Sequence, residues 1–270
     1  MDEPSNSTLS ATVACDPSVR ANFLPTARNR RTPDRPMIEF GHVTHVGLRR
    51  AHNEDTYWAD GALGLWLVAD GMGGHEHGEV ASAVARDAVV REVGSGSSLV
   101  DAVRRADEAI IALSQKRSEA LPMGTTVAAL RVREREYEVA WVGDSRVYLW
   151  QDGALRQLSQ DHSYVQELVA QGAISAEQAR NHPHRNMVTQ ALGITSPQEL
   201  HVETRQGLLE TGMQFLLCSD GLTEEVEDEA IARVLARGDL AAQECVEHLV
   251  LAALDGGGSD NVTVLLVRVR

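Results

Sequence analysis

Apolar and polar positions fall into blocks along this chain. Short apolar runs bounded by turn residues occupy 38–47, 57–59 and 63–69, and they read as strands. Residues 78–93 switch to helical spacing, with Val80, Ala83, Val84 and Ala88 recurring on one face. A glycine- and serine-rich break at 94–98 separates them from a second helical stretch, 99–118. There Leu99, Val103, Ala106, Ile110 and Leu113 share a face. Two consecutive helices of this kind are expected to pack as a pair. Strands resume at 125–132, 136–142 and 146–150 with connections as short as those of an antiparallel meander, and Asp152-Gly153 reads as a turn. Residues 161–198 are polar, with short helix candidates at 164–171 and 175–180, and read as an insertion over the surface. Strands at 200–205 and 214–219, helices at 227–236 and 240–254, and a last strand over 262–267 complete the pattern. Strands in groups and helices in pairs indicate an α+β fold.

Before residue 37 the pattern disappears. Residues 1–36 hold five of the eight prolines and show no periodicity, so they are expected to form a disordered tail ahead of a domain spanning 37–270. The chain has 270 residues, is 43% hydrophobic and only 4% aromatic, which predicts a core of Val, Leu and Ala. Its net charge is −14 and Lys116 is its one lysine, which argues against a nucleic-acid partner. Cys15, Cys218 and Cys245 are too widely spaced for a zinc knuckle or a disulfide framework, so a reducing cytoplasm is the simplest compartment. No apolar run is long enough to span a membrane.

The strand ends carry the candidate chemistry. The run 65–69 stops at Asp70-Gly71, 140–142 at Gly143-Asp144, and 215–219 at Asp220-Gly221. Asp260-Asn261 precedes the last strand, and Glu54-Asp55 precedes 56–58. Turn chemistry accounts for any one of these singly. It does not account for five such carboxylate positions with so few basic residues beside them. Gathered carboxylates repel, and an all-oxygen site suits Mg²⁺ or Mn²⁺ rather than zinc.

Taken in order, Arg50-x-x-Asn53-Glu54-Asp55, Asp70-Gly71-Met72-Gly73-Gly74, Gly124-Thr125-Thr126, Gly143-Asp144-Ser145-Arg146, Ser219-Asp220-Gly221-Leu222-Thr223-Glu224 and Asp260-Asn261 resemble the motif series of the metal-dependent protein phosphatases (PPM, type 2C). The resemblance runs from about Thr44 to the C-terminus. It implies a four-layer α-β-β-α sandwich, two antiparallel sheets each flanked by a helix pair, with 161–198 as a flap. It implies a Ser/Thr protein phosphatase acting on phosphorylated proteins opposite a cognate Ser/Thr kinase. Glu54, Asp70 and the Gly71 carbonyl would hold one Mn²⁺ or Mg²⁺. Asp70, Asp220 and Asp260 would hold a second, with Asp70 bridging and a water between the ions attacking phosphorus. Asp55 would act mainly through bound waters, and Asp144 with Glu224 would support a weaker third ion. Arg50 is the natural phosphate clamp, because a guanidinium grips two phosphate oxygens at once.

The chain departs from the family pattern at Met72, where many eukaryotic members carry a histidine implicated as general acid. Bacterial members commonly share the methionine. The leaving-group acid is then either His75 or a metal-bound water. His77, His182 and His184 read as surface residues, and His162 as a minor candidate for substrate contact. Rival readings fit less well. Gly143-Asp144-Ser145-Arg146-Val147 lacks the second glycine of a serine-hydrolase elbow, and Lys116 lies in a helix rather than a phosphate loop. A catalytically weak binding module on the same fold would have lost a metal carboxylate. A metal-dependent phosphodiesterase is disfavoured by the acidic charge.

Overall fold

The computed structural model describes residues 37–73, 77–116 and 123–270. Expectations for residues 1–36, for His75 and for the end of the second helix lie outside the described residues. The chain opens with β1 (Ile38–His45), β2 (Asp55–Asp60) and β3 (Leu65–Met72), then α1 (His77–Gly94) and α2 (Leu99–Lys116). Next come β4 (Gly124–Thr125), β5 (Val127–Arg133), β6 (Glu136–Val142), β7 (Arg146–Gln151) and β8 (Ala154–Gln157). Two short helices follow, α3 (Tyr164–Ala170) and α4 (Ala176–Arg180). The chain closes with β9 (Glu203–Leu208), β10 (Gln214–Cys218), α5 (Asp220–Thr223), α6 (Asp228–Leu235), α7 (Ala242–Gly256) and β11 (Val262–Val269).

The strands form two sheets, ordered β1-β11-β10-β7-β8 and β2-β3-β5-β6-β9, with β4 pairing β3; every pairing is antiparallel. Side chains on a strand alternate between faces, and here both faces of the central strands are covered. Trp66 and Val68 of β3 point between the sheets and meet Phe215, Leu217, Leu265 and Val267 there. Leu65, Leu67 and Ala69 point the other way, into the layer of α1 and α2. On the second sheet Leu216, Cys218, Val264 and Leu266 turn outward against α6 and α7. Burial on both faces is why 65–69 and 262–267 read as continuous apolar runs rather than alternating ones. The resulting layers are helices, sheet, sheet, helices, as the resemblance implies.

Several details differ from the sequence expectation. The meander breaks after β6, because β7 pairs with β10 and β8 in the other sheet. The crossing happens at Gly143, whose φ of +101° suits glycine and where a Cβ would stand 2.6 Å from the Thr126 side chain. Its purely local signal is the same Gly-Asp that a hairpin would use. The strand expected at 200–205 is β9, shifted toward the C-terminus. The Leu200 amide closes a turn on Ser196, and β9 is a polar edge strand without apolar alternation. The buried face of α1 runs through Ala81, Ala85, Ala88 and Val89, while Val80 and Val84 are only partly buried, so small residues let this helix sit close to the sheet. Of the hairpin β7–β8, the strand β7 and the turn were legible and β8 was not; Asp152 and Gly153 in the turn both have positive φ.

Candidate active site

Antiparallel register brings the motif-bearing strand ends to one edge of the sandwich. In one sheet Asp55 lies directly opposite Asp70, and Val127 opposite Val142, the residue before Gly143. In the other, His45 lies opposite Val262, and Arg146 opposite Cys218. Asp144, Asp220 and Asp260 therefore leave their strands at the same edge as Asp55 and Asp70.

Hydroxyl groups stitch the two sheets together beneath these carboxylates. Asp55, which is buried, accepts hydrogen bonds at Oδ2 from Ser219 Oγ and Thr263 Oγ1, each at 2.7 Å. The Thr263 amide in turn donates to Ser219 Oγ at 3.0 Å. Thr126 Oγ1 accepts from the Asp70 amide and shares a 2.7 Å bond with Ser145 Oγ. With Oδ2 so engaged, Oδ1 of Asp55 is buried without a partner among the described residues, and Asp220 Oδ1 is in the same condition. A buried carboxylate oxygen with no donor is costly unless something else supplies positive charge.

A second set of bonds shapes the segment that carries Arg50 and Glu54. Asn261 Nδ2 donates to the Val46 and His52 carbonyls at 2.9 Å each, while its Oδ1 accepts from the Glu54 amide at 2.8 Å. The Glu54 carbonyl accepts from Ser82 Oγ and from the Gly71 amide. A Cβ at Gly71 would run into the Gly78 carbonyl, and one at Gly78 would stand 2.7 Å from the Glu54 carboxyl carbon. These two glycines let α1 and the Glu54 side chain close on the end of β3. Arg50 reaches Asp260 Oδ2 at 2.5 Å and stays 54% exposed, so the guanidinium forms the outer rim of the site.

The electrostatics follow from this crowding. Loss of solvent pushes the Asp55 carboxyl up to about 6, although the Thr263 and Ser219 hydroxyls oppose the rise. Burial, then the nearby Asp161, push Asp144 up to about 7. Asp70 and Asp220 are raised well above the ordinary carboxylate range, first by loss of solvent and then by neighbouring carboxylates. For Asp70 those neighbours are Asp55, Asp220, Asp144 and Asp260; for Asp220 they include Asp144, Glu224 and Asp260. Burial also raises Glu54 and Glu224, with Arg50 and Arg185 respectively pulling the other way. The structure thus brings Arg50, Glu54, Asp55, Asp70, Gly71, Asp144, Asp220, Glu224 and Asp260 to one region. Among the described residues, however, no three His, Cys, Asp or Glu side chains stand close enough together to hold a metal ion as they are placed.

His162 has a different place from the one its sequence position suggested. It is buried, its Nδ1 accepts from the Gly143 amide, and its own amide donates to the Gly143 carbonyl. Burial lowers its pKa, with Glu203 pulling the other way, and the ring holds the Gly143-Asp144 turn. Asn261 was visible in the Asp260-Asn261 motif, but its stapling role depends on carbonyls more than two hundred residues away in sequence. Ser145, Ser219 and Thr263 likewise have hydroxyls that carry no local signal of what they hold. Next to the carboxylates lies a cavity of about 400 Å³, walled by Asp144, Asp220 and Glu224 on one side and by residues of α3, α4 and the following loop on the other.

Residues 49–250 match the family described as Protein phosphatase 2C. The serine/threonine protein phosphatase PstP of Mycobacterium tuberculosis is 38% identical over 239 residues, which are 86% of this chain and 45% of that protein. This chain therefore spans less than half the length of that mycobacterial relative. The serine/threonine phosphatase stp of Listeria monocytogenes is 36% identical over 83% of this chain and 93% of its own length. The crystal structure of the M. tuberculosis phosphatase PstP/Ppp superposes with a TM-score of 0.80 at 35% identity, covering 86% of this chain and 99% of that one. The PstP catalytic domain in complex with two manganese ions superposes with a TM-score of 0.77 at 35% identity, over 86% and 98% of the two chains. With the family match running through most of its length and a relative matched almost end to end, this chain belongs to the protein phosphatase 2C family.

Proposed function

We propose that this chain is a metal-dependent serine/threonine protein phosphatase, acting on phosphoserine and phosphothreonine in proteins phosphorylated by a cognate Ser/Thr kinase. The observation that carries the reading is the pair of buried oxygens, Asp55 Oδ1 and Asp220 Oδ1, that lack a partner among the described residues, within an all-oxygen carboxylate cluster that has Arg50 at its rim. Such a donor set fits Mn²⁺ or Mg²⁺. In this reading Glu54, Asp70 and the Gly71 carbonyl would hold one ion, and Asp70, Asp220 and Asp260 would hold a second. Asp144 and Glu224 would hold a weaker third, and Asp55 would act through bound water. Ions held by these residues would supply charge neutralisation and lower the pKa of a bound water for hydrolysis of the phosphoester.

The chain's own residues do the rest. Asn261 fixes the 46–54 segment, so Arg50 presents its exposed N–H groups beside the carboxylates, where they grip phosphate oxygens. Ser219 and Thr263 orient Asp55, leaving Oδ1 free to accept. Residues 161–198 form the flap over the adjoining cavity. Buried free thiols at Cys218 and Cys245 accord with a reducing cytoplasm, and among the described residues no helix is long and apolar enough to cross a membrane. The test is hydrolysis of an aryl phosphate and of a phosphothreonine peptide across a Mn²⁺ titration, with a chelator control. Both activities are expected to rise with Mn²⁺ and vanish with chelation. Metal-independent turnover would overturn the reading.

A further inference from the structure

The 400 Å³ cavity beside the carboxylates has two unlike walls. The body wall carries Asp144, Asp161, Asp220, Glu224, Glu227 and Asp228. The wall contributed by residues 163–186 carries no carboxylate, and its charged groups are Arg180 and Arg185. The stretch 176–186 also includes His182 and His184 against a single acid, Glu177, in a chain whose net charge is −14. A basic island in so acidic a protein sits where it faces whatever enters the cavity.

The acids on the body wall are already engaged. Asp161 takes three hydrogen bonds from Arg146 and one from Gln157. Asp228 accepts from the Tyr148 hydroxyl. Asp144, Asp220 and Glu224 belong to the proposed ion-holding set. Glu227 pairs with Arg180, and Glu224 lies beside Arg185. The Arg180–Glu227 pair is 52% and 63% exposed on its two sides, and exposed pairs of this kind contribute little and exchange readily. A competing anion entering the cavity therefore meets Arg180, held by an exposed partner, and Arg185, itself exposed beside Glu224.

We infer that Arg180 and Arg185 form an anion-recognising subsite that selects phosphoproteins with an acidic or second phosphorylated residue flanking the phosphoresidue. This rests on the phosphatase reading above. A carboxylate or phosphate on the substrate takes the place of Glu227 or Glu224 on a flap guanidinium, with charge-assisted hydrogen bonds of the kind arginine makes bidentately. A cationic flank would face the same guanidinium groups and be repelled. The preference is electrostatic and exposed, so it weakens as salt rises.

The experiment compares phosphothreonine peptides whose flanking residues are glutamate, glutamine or lysine, together with one bearing a second phosphothreonine, in saturating Mn²⁺. The glutamate and doubly phosphorylated peptides are expected to have kcat/KM about fivefold above the glutamine peptide, mostly through KM, as exposed charge contacts allow. In Arg180→Ala/Arg185→Ala that ratio should fall to about one. Glu227→Gln frees Arg180 from its competitor and should raise the ratio above that of the unsubstituted chain. Equal rates on all flanks, a preference for lysine, or a glutamate preference that survives the double substitution would each overturn the inference. Aryl phosphate has no flanking residues, so its hydrolysis is measured alongside. Its absence would refute the phosphatase reading itself, whereas its presence without flank preference would refute only the subsite.

Discussion

Asp70→Asn is expected to stabilise the metal-free protein while abolishing its activity. Asp70 is partly buried, lies opposite Asp55 in register, and is within electrostatic reach of Asp55, Asp144, Asp220 and Asp260. The penalty on ionised groups in this cluster can be gauged from two of its members. Asp55 at about 6 and Asp144 at about 7, against an ordinary 3.8, correspond to roughly 3–4 kcal/mol on each ionised form. An asparagine keeps the shape of Asp70 and removes one charge, so a gain of about 1–3 kcal/mol at pH 8 is expected, after allowing for the share that is burial and not repulsion. In a domain of this size that raises Tm by about 2–4 °C per kcal/mol. The pH sign follows from the raised folded-state values. Stability is fully present below the unfolded value of 3.8 and is lost as pH rises through about 6 to 7. The advantage of Asp70→Asn should therefore be small near pH 4 and largest above pH 7. Mn²⁺ reverses the order, because at about a hundred times Kd it stabilises the unsubstituted protein by roughly 3 kcal/mol and the variant far less. The assay is thermal unfolding of both proteins at pH 4 to 8, with chelator and with Mn²⁺, alongside turnover, which is expected to fall by about a hundredfold or more. A metal-free variant less stable than the unsubstituted chain at pH 8, or one stabilised equally by Mn²⁺, would refute the reasoning.

Four further outcomes are expected. Arg50→Ala should raise KM with little change in kcat, since a rim clamp grips phosphate in ground and transition states alike; steady-state kinetics on aryl phosphate decides this. Asn261→Ala removes three hydrogen bonds that hold the 46–54 segment, so urea unfolding should show a loss of about 2–4 kcal/mol. Because that segment carries Arg50, KM should rise as well. Asp144→Ala and Glu224→Ala should each lower turnover and leave tight Mn²⁺ binding intact, and their effects should not add, as a double-mutant cycle with calorimetry would show. Mn²⁺ binding near pH 6 should release protons, because Asp55 is still partly and Asp144 largely protonated there. Calorimetry in buffers of different ionisation enthalpy reads this directly, and a buffer-independent heat would contradict it.

How much of this was legible beforehand varies by element. The runs ending at Asp70, Asp144 and Asp220 gave away both the strands and the residues at their ends. Strands covered on both faces are apolar throughout, and a polar residue where such a run stops stands out. The helix pair α1 and α2 was equally plain, although the buried face of α1 was not. Its alanines are weak markers in a periodicity count but pack closest to the sheet. Edge strand β8 gave almost no signal and β9 only a displaced one, because polar, exposed strands leave too little alternation to read.

The sequence by itself determined which residues are chemically able to act: the carboxylates, the arginine before them, and the glycines that allow close approach. Tertiary structure alone decided which of them share a space. Whether β7 continues one sheet or crosses to the other depends on pairing with β10, nearly seventy residues later in the chain, and that crossing carries Asp144 to the edge where Asp220 and Asp260 lie. The hydroxyls on Asp55 come from Ser219 and Thr263, and the amide that fixes the Arg50 segment comes from Asn261. None of these contacts has a local pattern, because a hydrogen bond between distant residues is set by register and packing. Local propensity carries no information about either.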